Sequence, residues 1–539
     1  MKKWLVAAVI VIVLIIFAFQ YSKNDSSATI SMQDNINPVV GGTMVIGISN
    51  DVDSFNPLFG ESVSAQEITH LLLLGLVDLN EKSEFVPELA SSWERSKDFK
   101  KISFTLRQDL VWSDGKPITA EDVQFTFDVL MDSTVGSPRR AYTEYIKNIT
   151  VESPYKITFE FTEVYPDQLF DIGGEILPKH ILENVERRSI RGHDFGRNPI
   201  SSGPFKLSKW VSQQYIELVP NENYFEGRPY LDKVIFKIIP DKTNLLLEFE
   251  TGKIDMMVGV PPAEVERLKN EKKNMEVHQI SGRSYYYIAY NEKNELFSNR
   301  DIRRALTMSL DRQTIIKALL YGFGKPCLGP LSPIVKWAFN EDVDEIPFDP
   351  DKAKQIFAQN GWKDTDGDGW VDKGGKIFEF TLKTGTGNQI KSDVAVIAQE
   401  QWSKIGVKAN IKTVEWTAFL DDLRAKKFDA CINGWSTSFN VDPYPIFHST
   451  ATEIFNFISY SNPQVDQLID SGRQQMDRQK AAEIWKDFQR KVYEDQPYTF
   501  LFWIDKVAVV NSKFKNVSPL PISSVYGIEK WYLIPESEI

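Results

Sequence analysis

The chain has 539 residues, 42% of them hydrophobic and 25% charged, an ordinary globular balance in a protein too long for one core. A net charge of -12 leaves no basic excess to displace phosphate counterions, which argues against non-specific nucleic-acid binding. Two cysteines, Cys327 and Cys431, fit neither a disulfide-dense scaffold nor a four-ligand zinc site, and two unpaired thiols are expected.

In chain order, Lys2 and Lys3 come first, followed by 16 uninterrupted apolar residues, 4–19. As a helix that run spans ~24 Å, a little short of a ~30 Å hydrocarbon core. Trp4 and Tyr21 can extend it into the two interfaces. Residues 1–21 read as a retained membrane anchor in preference to a cleaved signal, with no cysteine after them to carry a lipid. Either way the remainder is exported, because the two lysines favour an amino terminus held inside. Residues 22–38 are polar and read as a tether.

A strand is expected at 43–48 and a buried helix at 67–77. Ile102, Phe104 and Leu106 alternate with polar residues, the period of a half-buried strand. The run 112–115 (Trp-Ser-Asp-Gly) closes a turn, and Gly115 supplies a positive φ. Thr119 and Asp122 then form a capping-box variant, ahead of Val123, Phe127 and Leu130 at helical spacing. Asp311 reads as the N-cap of a helix to Leu320, with Gly322 as its left-handed stop. Residues 394–405 read as a helix stopped by Gly406, and a strand follows at 407–414. Cys431 falls in an alternating apolar run. Interleaved strands and helices predict α/β lobes.

One phrase is specific beyond local structure. Leu89, Ala90, Trp93, Leu106, Arg107, Trp112, Asp114, Gly115, Ala120, Asp122 and Val123 resemble, position for position, the signature of the extracellular solute-binding proteins of peptide and nickel ABC transporters. Further phrases of that family follow: Gly203-Pro204-Phe205-Lys206-Leu207, Gly252-Lys253-Ile254-Asp255 and Arg303-Arg304-Ala305-Leu306. The resemblance implies a two-lobed, type II periplasmic-binding-protein-like α/β fold with a hinge and an interlobe cleft. It implies a first lobe from 39–75, 196–285 and 500–539, an inserted domain at 76–195 and a second lobe at 286–499. It implies a monomeric binding protein, not an enzyme, that delivers oligopeptides to ABC permease subunits. An oligosaccharide ligand is the alternative within the family, and an exported hydrolase is the rival class. No G-x-S-x-G elbow supports the hydrolase.

The resemblance also suggests site residues. The run 434–449 matches the family's Gly-Trp…Asp-Pro-Tyr…His-Ser phrase, which points to Trp435, Ser438, Asn440 and Asp442. Many peptide binders carry an aspartate three places after this tryptophan to hold the ligand's amine. Here that place is Ser438, so either Asp442 takes the role or the ligand lacks a free amine; as a turn residue before Pro443, Asp442 has an equally simple explanation. Glu415-Trp416 matches a phrase whose tryptophan lines side-chain pockets. Ser62 and Val63 sit where the family's loop bonds an extended ligand main chain. Tyr285, Tyr286 and Tyr287 lie where the chain crosses between lobes; Tyr287 is placed in the site, and Tyr286 is expected to face the other way.

Asp364, Asp366, Asp368 and Asp372 copy positions 1, 3, 5 and 9 of an EF-hand calcium loop, with Gly369 at position 6. Position 12 is Gly375 where a glutamate is needed, so an acidic hairpin turn competes with the calcium reading. No other cofactor is expected.

Overall fold

The computed structural model describes residues 38–534, apart from 273 and 454. The apolar anchor at 4–21 and the tether up to 37 lie outside the described residues. Among the described residues no helix is long and apolar enough to cross a membrane.

The elements that position the site are, in chain order, β1 (Thr43–Ile48), α1 (Val63–Leu72), β2 (Ala90–Arg95), β3 (Lys101–Leu106), α2 (Ala120–Met131), β4 (Ile146–Ser153), β5 (Lys156–Phe161), β6 (Phe205–Val211), β7 (Tyr215–Pro220), β8 (Lys233–Ile238), β9 (Met256–Val258), β10 (Met275–Tyr290), α3 (Arg312–Leu320), β11 (Glu379–Gly385), α4 (Gln389–Ser403), β12 (Lys408–Val414), α5 (Trp416–Arg424), β13 (Ala430–Ser436) and β14 (Tyr498–Asn511). Ten of these strands form one mixed sheet in the order β12-β11-β13-β10-β14-β9-β1-β8-β7-β6, and the short strand Gly324–Pro326 joins it beside β14. A separate four-stranded sheet, β2-β3-β5-β4, comes from the segment between β1 and β6.

The long strands β10 and β14 run antiparallel through the middle of the large sheet. Their pairing slips between Ile280 and Ser284. The core they pack into changes at the same place. Ile280, Ala508 and Val510 belong to the core under β1 and β8, whereas Tyr285 and Trp503 belong to the core around β11 and β13. The bulge is held by Asp505, which accepts from the Gly282 amide at 3.2 Å and from Gln279 Nε2 at 2.6 Å. A bulge bends a strand and sharpens its twist, so the two halves of the sheet are joined at a bend.

Most local expectations hold. Ile102, Phe104 and Leu106 are the buried face of β3. Thr119 caps α2, and the Asp122 carboxylate returns a bond to the Thr119 amide at 2.8 Å. Asp122 also accepts from the Lys179 amide at 2.9 Å, which ties the cap to a segment 57 residues further on. Thr119→Ala should therefore lower the unfolding free energy by about 1 kcal/mol, read as a shift in the urea midpoint at constant slope. Both cysteines are free and buried. Asp311 caps α3, and Tyr321 (φ 51°) enters the left-handed region just before Gly322 (φ 84°).

Two helices differ from expectation in their bounds. The helix expected at 67–77 spans Val63–Leu72, capped by Ser62. It stops before Gly75, whose amide donates to Glu88 at 2.7 Å and whose absent β-carbon leaves room for the Gly173 carbonyl. That close crossing is set by tertiary packing, which a helical pattern cannot foresee. Helix α4 starts at Gln389 and not at 394, because Asn388 caps it by accepting from the Lys391 amide.

Candidate functional site

In the second half of the sheet β11 runs parallel to both β12 and β13. Their carboxyl ends, at Gly385, Val414 and Ser436, therefore lie along one edge. Open α/β sheets bind ligands in the crevice beyond such ends. Two helices begin there, α4 capped by Asn388 and α5 capped by Glu415, so their N-terminal amides face that edge.

Trp435 is the penultimate residue of β13 and is half-buried. Its ring lies parallel to those of Tyr287 (6.3 Å) and Phe457 (6.2 Å) and is tilted against Phe455 at 5.4 Å. With Tyr285, Ser438, Asn440 and Asp442 it lines a small pocket of about 130 Å³. Ser438 donates to the Asn440 side chain. Asp442 accepts from the Tyr444 amide at 3.1 Å, the bond of a turn residue, and its Oδ1 lies 3.3 Å from Arg473 Nε. The carboxylate offered as an alternative amine anchor thus already has a cation beside it.

Asn440 and Asp442 also border a much larger cavity, about 620 Å³. Its opposite wall comes from the segment carrying the smaller sheet, with Tyr145, Tyr165, Asp167, Phe170 and Asp171 among its residues. Asn440 Nδ2 donates to Asp167 Oδ2 at 3.0 Å across this space. Burial pushes the Asp171 carboxyl up to about 7, although the Tyr165 hydroxyl donates to it at 2.9 Å. Burial likewise raises Asp167. Asp167 carries no local sequence signal, because its partner Asn440 lies 273 positions away.

A carboxyl whose pKa is raised on folding binds its proton more tightly in the native state. Its contribution to stability is full below its unfolded value near 4 and is lost as pH rises towards about 7. Asp171→Asn keeps an acceptor for Tyr165 and removes the ionisation. Its melting temperature should fall less between pH 5 and 8 than that of the unsubstituted protein; parallel pH curves for the two would contradict this.

The remaining predicted residues are dispersed. Trp416 is the first residue of α5, 41% exposed and stacked on Phe419. It stands at the same sheet edge as Trp435 but borders neither cavity. Tyr287 is 2% exposed and stacked on Tyr498 at 4.1 Å. It packs in the core, against a side chain of the neighbouring strand β14 on one side and the Trp435 ring on the other. Tyr286 faces the other way, as expected, and accepts from Asn388 at 2.7 Å. Ser62 spends its hydroxyl on the cap of α1 and on Asp53. Val63 is exposed, and neither residue borders the cavities. The loop aspartates Asp364, Asp366 and Asp368 come together on the surface. Asp372 does not join them; its Oδ2 accepts from the amide and hydroxyl of Thr365 and closes a hairpin.

Three comparisons bear on this site. The family described as bacterial extracellular solute-binding proteins, family 5 Middle, matches residues 84–457. The oligopeptide-binding protein AppA of Bacillus subtilis is 35% identical over 534 residues, covering 97% of both chains. The solved structure of AppA in complex with a nonapeptide superposes with a TM-score of 0.68 at 34% identity, over 93% of this chain and all of that one. NikZ from Campylobacter jejuni, solved with Ni(L-His), gives a TM-score of 0.70 at 27% identity, over 91% of this chain and 99% of that one. A family match over more than two thirds of the chain and a relative 35% identical over nearly its whole length agree: the chain belongs to the family 5 extracellular solute-binding proteins, which bind solutes and are not enzymes.

Proposed function

We propose that this chain captures oligopeptides outside the cytoplasm and hands them to the permease subunits of an ABC importer. The observation that carries the reading is full-length similarity to an oligopeptide-binding protein, one solved with a nonapeptide bound. The site chemistry supports it. Aromatic rings at the sheet edge offer large contact area with few rotamers to freeze, which suits ligands of varied sequence. A cavity of about 620 Å³ gives room for side chains beside that edge.

In this reading 39–75, 196–285 and 500–539 form one lobe, 76–195 an inserted domain and 286–499 the other lobe. The change of core between Ile280 and Tyr285 supports a hinge there. Closure is driven only by ligand contacts made in the closed state and missing in the open one. The protein acts as a monomer tethered by residues 1–21 through the 22–38 linker.

Native mass spectrometry of the purified chain, followed by calorimetric titration with mixed peptides of five to nine residues, tests the proposal. A co-purified peptide released intact, and saturable binding of the mixture, are expected. A bound sugar, or cleavage of the added peptides, would overturn it.

A further inference from the structure

His70, in the last turn of α1, has a carboxylate on each side of its ring. Its Nε2 lies 3.5 Å from Asp78 Oδ1, and its Nδ1 lies 3.6 Å from Glu175 Oε1. Both distances exceed the about 2.7–3.2 Å of an N–H···O hydrogen bond. The first is the spacing of two donors that share a small ion, since ligands ~2.1 Å from a tetrahedral centre stand about 3.4 Å apart. The second has a role in such a site as well. A ligating histidine turns its other nitrogen to a carboxylate, which fixes the ring and its tautomer. A third carboxylate completes the group: ligand atoms of His70, Asp78 and Glu88 all lie within 4.8 Å of one another.

Glu88 is the buried member, 8% exposed. Its Oε2 accepts from the Gly75 amide at 2.7 Å, and among the described residues its Oε1 takes no hydrogen bond. Nor does any described lysine or arginine come within 4.0 Å of the carboxylates of Asp78, Glu88 or Glu175. A buried carboxylate without a cation is costly, and burial pushes Glu88 up to about 8. Three carboxylates face one imidazole, so protonating His70 still leaves an excess of negative charge. A divalent cation removes that excess. The free carbonyl groups at the end of α1, which stops at Leu72, favour a cation there too.

The donors come from separate stretches of chain. His70 belongs to α1. Asp78 stands on the short strand Val77–Leu79, paired with Phe85–Pro87, and Glu88 follows that hairpin. Glu175 is brought alongside by its bridge to Gly75. None of the four borders either cavity described above. One imidazole with carboxylates is a mixed nitrogen and oxygen set. It suits Zn²⁺ better than Ca²⁺ or Mg²⁺, which take oxygen ligands.

We propose that His70, Asp78 and Glu88 bind one divalent cation of the zinc type, with Glu175 orienting the imidazole, and that this ion clasps α1 to the segment carrying the smaller sheet. The proposal stands apart from the peptide reading and concerns a different part of the molecule.

The test titrates the full, tag-free chain with ZnCl₂ by calorimetry after stripping with EDTA, and follows its melting temperature. One equivalent should bind with a dissociation constant of about 1 μM or below, and the melting temperature should rise with zinc. His70→Gln and Glu88→Gln should each weaken zinc binding at least about tenfold. Asp364→Asn, in the exposed acidic loop, should leave it unchanged, and equimolar Ca²⁺ should not displace the zinc. Absence of saturable binding, unchanged affinity in His70→Gln and Glu88→Gln, loss of binding in Asp364→Asn, or displacement by Ca²⁺ would overturn the proposal. Where a substituted chain fails to fold, Co²⁺ added to the unsubstituted chain decides. Intense visible absorption of a four-coordinate ion supports the site, and the weak absorption of a six-coordinate ion overturns it.

Discussion

Gly282→Ala should cost about 3 kcal/mol of stability, an overpacking penalty at the upper end of the usual range. A β-carbon at this position would lie 1.5 Å from the Ile504 carbonyl oxygen, closer than any side-chain adjustment can relieve. Only the backbone can yield, by separating β10 from β14 at their bulge. That movement breaks the bond from the Gly282 amide to Asp505, whose carboxylate is buried and also holds Gln279. Removing one partner of a buried charged group leaves its desolvation uncompensated. The substitution also sits where the two cores meet, so it should alter the relative setting of the halves as well as their stability. Urea denaturation reads the first effect, and peptide affinity reads the second. Unchanged values for both would show that the strands slide freely here, and the hinge would have to be sought elsewhere.

What was legible in the sequence was what short stretches decide by themselves. The buried alternation of Ile102, Phe104 and Leu106, the capping box at Thr119 and Asp122, and the caps of α3 needed no distant information. The family phrases extended this to the whole fold. Tyr285 to Tyr287 mark where that ends. Their alternation was correct, but which face is buried depends on what distant segments bring beside it, and Tyr498 fills the space next to Tyr287. Asp167 and Asn440 meet across 273 positions, with no pattern in either segment to announce it. The acidic loop shows the opposite failure. Its spacing assembled three aspartates, while Asp372 was claimed by the local turn at Thr365.

Trp435→Ala and Trp416→Ala should separate binding from folding. Trp435 contributes to two things at once, a parallel aromatic stack with Tyr287 and Phe457 and the wall of the small pocket. Removing it should cost about 3 kcal/mol of stability, the lower figure for an aromatic truncated to alanine, because the ring is only half-buried. Peptide affinity should fall at least about thirtyfold, the loss typical of a central aromatic anchor. Trp416 is 41% exposed and stands at the start of its helix, so its loss should leave the urea midpoint nearly unchanged. Affinity should still fall, because an exposed aromatic face at the sheet edge would be gone. The pattern matters more than either value. If both tryptophans serve the ligand, the two variants differ in stability and agree in weakened binding. If they only pack, affinity stays level in Trp416→Ala, and the loss in Trp435→Ala disappears once titrations are run far below its unfolding transition. Calorimetry showing unchanged affinity in both variants would remove the sheet edge from the site and leave the 620 Å³ cavity as its place.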